Sequence, residues 1–234
     1  MADEIVRIEI HEYDSSVVVG MPKDQKIKWK DIETAFRIHI LEEHEPTGVQ
    51  NLRAEDIIEE LNRIPENIRK YVTSVVLAPF MCPYNDHFIS KEEAEDGWTI
   101  IGSGDYYKNQ ITIYAVPLDR STLRGVLRNE LTLGHEAGHT IDGDPRAKAK
   151  LKTEARFISH TPHWTMAMCK DSKLNRGNTE LSSYFVSKYA ERCNLLNEDF
   201  ADSVKFFSDE GCRAWLKQNF PSRYKFLENL LGPI

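Results

Sequence analysis

The residues best suited to chemistry in this chain are His135, Glu136 and His139, in the run Leu133-Gly134-His135-Glu136-Ala137-Gly138-His139. Two histidines four apart share one helical face, about one turn from each other. Imidazoles so placed can both reach one Zn2+ at ~2.0–2.1 Å. Glu136 stands beside the first histidine, where it can hold a zinc-bound water and take its proton. With eight histidines in 234 residues, chance supplies such an arrangement in roughly 0.025 chains of this composition, so metal binding is a stronger reading than two unrelated surface histidines.

A zinc site of this kind needs a third protein ligand and an open fourth position. The extended pattern HExxHxxGxxH would require glycine at 142 and histidine at 145, where this chain has Asp142 and Pro145. That class is excluded. The other solution draws a glutamate from a later helix, with a second acidic residue one turn on. Four residues beyond Glu154, Glu180, Glu191 and Glu198 stand Ile158, Tyr184, Leu195 and Asp202. Of these, only Glu198 opens an acidic pair on one helical face. Glu198 would complete the set of two histidines and one glutamate. Asp202 could accept the free ring N–H of a ligand histidine and fix its tautomer. A solvated acidic face would show the same spacing, so the residues alone leave both readings open. Asp142, three after His139, suits either a bond to that histidine or a cap on the helix end.

Three segments carry a family likeness: HEAGHTID, Ser187-Lys188-Tyr189 and NEDFADSVKFF. Together they resemble the catalytic domain of anthrax toxin lethal factor and the small clostridial Pro-Pro endopeptidases. The closing FPSRYKFLENL is similar to the C-terminus of the latter, and the likeness runs over roughly residues 73–231. The resemblance implies a gluzincin zinc endopeptidase with a zincin-like α+β fold, one Zn2+ per chain and a peptide or protein substrate. Within it, Glu198 is implied as the third ligand and Tyr189 as the tyrosine beside the metal. A phenol there can donate a hydrogen bond to the oxyanion formed when water attacks a peptide carbonyl. Tyr189 precedes Glu198 by nine residues, two more than in the family, which leaves Tyr184 as a competing position. The short family members are secreted, and residues 1–50 match no part of them.

The elements that must position these groups read as strands first and helices after, an α+β order. Strand patterns cover 5–10, 16–19 and 73–79, then 98–102 and 110–116 across SGDYYKN. Helical spacing covers 29–43 and 54–71, with a break at Pro65, then one long helix over 122–142 capped by Ser121. Residues 147–157 and nearly everything after 195 also read as helical. Domain organisation follows as a strand and helix extension over 1–50 and a metallopeptidase domain over 51–234. Zincins hold substrate as an added strand on a sheet edge. Gly102, Ser103 and Gly104 would let a peptide backbone approach there, and they suit the turn equally well.

Composition narrows the rest. With 41% hydrophobic residues the chain can bury a core. A net charge of -7 argues against nucleic acid as partner. No run suits a membrane span, and no residue pattern speaks to oligomeric state. The N-terminus MADEIVRIEIHEY has no basic segment leading into an apolar one. That predicts a cytoplasmic chain, or one delivered by a route its residues do not encode. Four widely spaced cysteines with no CxxC predict free thiols. Two rivals to an endopeptidase are a catalytically silent binding module on the same fold and a zinc hydrolase of non-peptide amides.

Overall fold

The computed structural model describes residues 5–6, 39–43, 52, 54–78, 102–114, 120–176 and 184–234. Five strands form one mixed sheet: β1 (Ile5–Val6), β2 (His39–Glu43), β3 (Ser74–Ala78), β4 (Gly102–Asp105) and β5 (Gln110–Tyr114), in the order β1-β2-β3-β5-β4. β3 runs parallel to both β2 and β5. β1 is antiparallel to β2, and β4 to β5. All five residues of β3 are buried, as a β-branched strand at the sheet centre should be.

Ten helices follow or intervene among the described residues. They are α1 (Ala54–Arg63), α2 (Glu66–Arg69), α3 (Arg120–Asn129), α4 (Thr132–Gly143), α5 (Pro145–Leu151), α6 (Pro162–Leu174), α7 (Lys188–Cys193), α8 (Leu196–Ser208), α9 (Glu210–Asn219) and α10 (Pro221–Leu231). The chain is α+β, a small sheet followed by a mostly helical remainder. No helix among the described residues is long and apolar enough to cross a membrane. Cys169, Cys193 and Cys212 are free thiols.

α4 lies at the centre. It packs along α8 more extensively than any other two elements pack, and it also lies against β4. Ten of its twelve residues are buried. Gly138 permits the α8 crossing, because a Cβ there would stand 2.5 Å from the Cα of Ala201. Gly134, one turn earlier, faces Ser208 in the same way. The glycine face of α4 therefore meets α8, and the histidines stand one residue further round.

Several expectations are corrected. Residues 39–43 form a strand, not the end of a helix over 29–43, because the backbone pairs with Ser74–Leu77. Tertiary pairing overrides local periodicity there; residues 29–38 and 16–19 lie outside the described ones. The helix expected over 122–142 is two helices. Leu131, with φ 51° and ψ 40°, takes the left-handed conformation and turns the chain between α3 and α4. α3 begins at Arg120, one residue before Ser121. Gly102–Asp105, expected mainly as a connection, is a strand with its turn at 106–109. Helix α5 ends at Leu151 instead of 157, and α6 is a helix that the sequence pattern does not predict. The break at Pro65 and the three helices after residue 195 lie where the pattern puts them.

Candidate metal centre

α4 presents His135 and His139 side by side, with Nε2 atoms 3.1 Å apart. From α8, Glu198 brings its Oε2 to 3.3 Å from His135 Nε2 and 3.5 Å from His139 Nε2. Ligand atoms ~2.0–2.1 Å from a tetrahedral ion are about 3.3–3.4 Å apart. The edges of this triangle, 3.1, 3.3 and 3.5 Å, bracket that value. Glu198 Oε2 is also buried without a hydrogen-bond partner. A carboxylate oxygen withdrawn from water and given no donor is costly. A divalent cation against the three atoms would satisfy it, so the donor set fits zinc by both geometry and chemistry.

The surroundings fix how each group is presented. Asp202, one turn along α8 from Glu198 and 2% exposed, accepts from His135 Nδ1 at 2.8 Å. With that proton on Nδ1, the Nε2 lone pair faces the triangle. Ser187 caps α7, accepting from Ala190 N at 3.0 Å, and donates its hydroxyl proton to Asp202 Oδ2. Ser187 thus joins the tyrosine segment to the histidine, a role its position in the sequence does not reveal.

Charge at the site favours a cation. Burial opposes a protonated His135, but the hydrogen bond to Asp202 and the nearby Glu198 carboxylate outweigh it and hold its pKa well above the ordinary histidine value. Burial likewise opposes the Glu198 carboxylate, and the two histidines outweigh it, lowering its pKa well below the usual range. Carboxylates that draw protons onto two imidazoles would also draw a metal ion. Glu136 is 6% exposed, and burial pushes its pKa up against the pull of both histidines, which suits a proton acceptor. His135, Glu136 and His139 have donor atoms all within 4.8 Å of one another.

The two tyrosines occupy different places. The Tyr189 ring lies 6.0 Å from the His135 ring, centroid to centroid. Its phenol is shifted upward by burial and then by the Glu198 charge, so it keeps its proton and can donate. Tyr184 turns away: its hydroxyl lies 3.7 Å from Cys169 Sγ on α6, and its carbonyl accepts from Arg223. Asp142 bonds neither histidine. Its carboxylate accepts from Ser159 N and Ser159 Oγ, both at 2.7 Å, and its carbonyl accepts from Ile158 N. It therefore clamps the segment after α5 onto the end of α4.

Gly102 and Gly104 leave room for α4 to lie close against β4. A Cβ at 102 would stand 2.9 Å from Glu136 Oε1, and one at 104 would stand 2.6 Å from the Glu136 carbonyl. The intervening Ser103 points to the opposite face, where its hydroxyl bonds Tyr114 Oη at 3.0 Å. β4 is the last strand of the sheet among the described residues.

Behind the site lies a second buried cluster that the sequence pattern did not disclose. Arg223, fully buried, donates to Asp199 from Nε at 3.0 Å and Nη2 at 3.1 Å, and to Asp171 from Nη1 at 3.3 Å. Asp199 also accepts from Val186 N. Asp171 accepts from Ser222 N and Arg223 N, capping α10, which has no side-chain cap of its own. Buried charge pairs carry no periodicity, and the only available signal was that uncapped helix start at Phe220-Pro221.

The chain thus holds an HExxH group that could bind a metal ion on an α+β scaffold. No protein-family model and no curated protein matches it. Among solved structures it is similar to the Pro-Pro endopeptidase PPEP-2 from Paenibacillus alvei, at 16% identity and a TM-score of 0.45, covering 82% of this chain and 96% of that one.

Proposed function

We propose that this protein is a zinc-dependent endopeptidase of the gluzincin kind, with His135, His139 and Glu198 holding one zinc ion per chain. The observation that carries the reading is the triangle of two imidazole nitrogens and a buried carboxylate oxygen lacking any other partner. Zinc in such a site polarises a substrate carbonyl and lowers the pKa of water. The chain's own groups supply the rest. Glu136 holds the attacking water, takes its proton and passes that proton to the leaving amine. Tyr189 donates a hydrogen bond to the oxyanion that develops on the carbonyl. Asp202 keeps His135 in one tautomer and one orientation. The edge of β4, unpaired among the described residues, offers backbone groups to an extended peptide.

The test is elemental analysis combined with cleavage of an unbiased peptide library, with and without chelator. About one zinc per chain and chelator-sensitive cleavage are expected. Glu136→Gln should keep its zinc and lose at least ~10³-fold in rate, since an amide cannot accept the proton. No zinc uptake, or a Glu136→Gln variant near wild-type rate, would overturn the proposal. Zinc binding without cleavage of any peptide would point to a binding module or to another amide substrate.

A further inference from the structure

β4 and α4 travel side by side: Gly102 lies against the Glu136 carboxylate, Gly104 against His139, and Tyr106 against Gly143. Moving along β4 from the proposed base therefore leads to the turn at 106–109, about 10–13 Å away at strand rise. An aromatic and cationic surface stands there. The Tyr106 and Tyr107 rings lie 4.1 Å apart, and Tyr107 is 76% exposed. Arg156 reaches over from the segment after α5, its guanidinium 5.1 Å from the Phe157 ring. It donates to Tyr106 Oη from Nη2 at 2.6 Å and Nε at 3.2 Å, and to Tyr107 Oη from Nη2 at 3.2 Å.

This placement is braced. Asp142, at the end of the HExxH helix, holds Ile158 and Ser159 through three hydrogen bonds, so the segment carrying Arg156 is fixed to the helix carrying the histidines. Phenols satisfy part of the guanidinium without neutralising it. Among the described residues, Arg156 has hydroxyl partners and no carboxylate within ion-pair range. An oriented, exposed positive charge remains, in a chain whose net charge is -7. Guanidinium recognises carboxylate through paired N–H donors, and the flanking rings can cover an aliphatic stem.

We infer that Tyr106, Tyr107 and Arg156 form a substrate subsite selecting an acidic side chain about three residues from the bond cut, at the spacing of a strand paired with β4. The inference rests on the endopeptidase reading. Selection is modest because the charge is solvated: about fivefold in kcat/KM for an exposed pair.

The experiment uses the zinc-loaded full chain. A peptide library located by mass spectrometry gives the cleaved bond and its flanking preferences, and a matched peptide pair with Glu or Gln at the preferred position gives the ratio. Wild type should favour Glu about fivefold at low salt, with the ratio falling towards one at ~0.5 M salt. Arg156→Gln should bring the ratio to one, Arg156→Lys should keep part of it, and Arg156→Glu should favour Lys at that position. Thermal melts of the variants check that folding is intact. Cleavage without any acidic preference, or a preference that persists in Arg156→Gln, overturns this inference alone. No cleavage of any peptide overturns the endopeptidase reading and this inference with it.

Discussion

Glu198 and Asp199 are neighbours on one helix, yet they face two buried clusters of opposite character. Asp199 meets a guanidinium and a backbone N–H, and every charge in the Arg223 cluster has a protein partner. Glu198 turns one oxygen towards two imidazole nitrogens, and that oxygen has no hydrogen-bond donor aligned on it. Asp142 makes a third case, a buried carboxylate answered only by the neutral donors of Ser159. A saturated cluster ties α6, α8, α10 and the segment at 184–186 together and asks for nothing more. An unsaturated one leaves a buried oxygen that an added cation would satisfy. Burial of charge is thus structural in one place and an invitation to a ligand one residue away.

The largest effects should come from breaking each cluster in turn. Arg223→Met leaves Asp171 and Asp199 buried without their counter-charge and should cost about 3–5 kcal/mol of folding stability. The loss should be the same in zinc and in chelator, as measured by urea denaturation. Wild type should gain ~4 kcal/mol when free zinc is raised to a thousand times its dissociation constant, whereas Glu198→Ala should gain none. If Arg223→Met lost stability only in the presence of zinc, the two clusters would not be separable.

The tyrosines sharpen the contrast at slightly smaller cost. Tyr189→Phe should lower kcat by on the order of 10²–10³ with KM nearly unchanged and zinc retained. Tyr184→Phe should stay near wild type, since its hydroxyl faces Cys169. The reverse outcome would transfer the oxyanion role to Tyr184 and leave the metal ligands as they are.

Asp142 gives the smallest effect, and it appears as a pH dependence. Burial raises its pKa to about 6, and the Ser159 hydrogen bonds offset only part of that. Its protonated form is favoured in the fold, so the stability it contributes is complete below pH ~4 and is lost as pH rises through about 6. Relative to Asp142→Asn, which has no charge to bury, wild type should lose ~2–3 kcal/mol across that window. Denaturation curves of both proteins between pH 4 and 7 measure the difference. A constant difference would mean that Ser159 compensates the charge fully.

Much of this site is written locally. His135, Glu136 and His139 lie within five residues, and a helix of any surroundings puts the two imidazoles on one face. Glu198 and Asp202 are set one turn apart by the same periodicity, and the Pro65 and Pro221 boundaries follow from proline's missing N–H. What the sequence by itself determined, then, is which groups share a helical face and where helices stop, because both depend on neighbours within a turn.

Contacts across long separations were decided by the tertiary structure. His135 and Asp202 are 67 positions apart and meet because α4 and α8 cross at Gly138 and Ala201. Residues 39–43 carry helical spacing but become a strand because Ser74–Leu77 offers a ladder. Leu131 takes a left-handed conformation that no local pattern announces. Asp142, open between two roles in the sequence, turns to Ser159 because Ile158 and Ser159 return to the end of α4. Arg223 is an unremarkable arginine until three elements close around it. In each case the deciding partner lies far along the chain, where loop closure and packing choose among conformations that local preferences leave nearly equal.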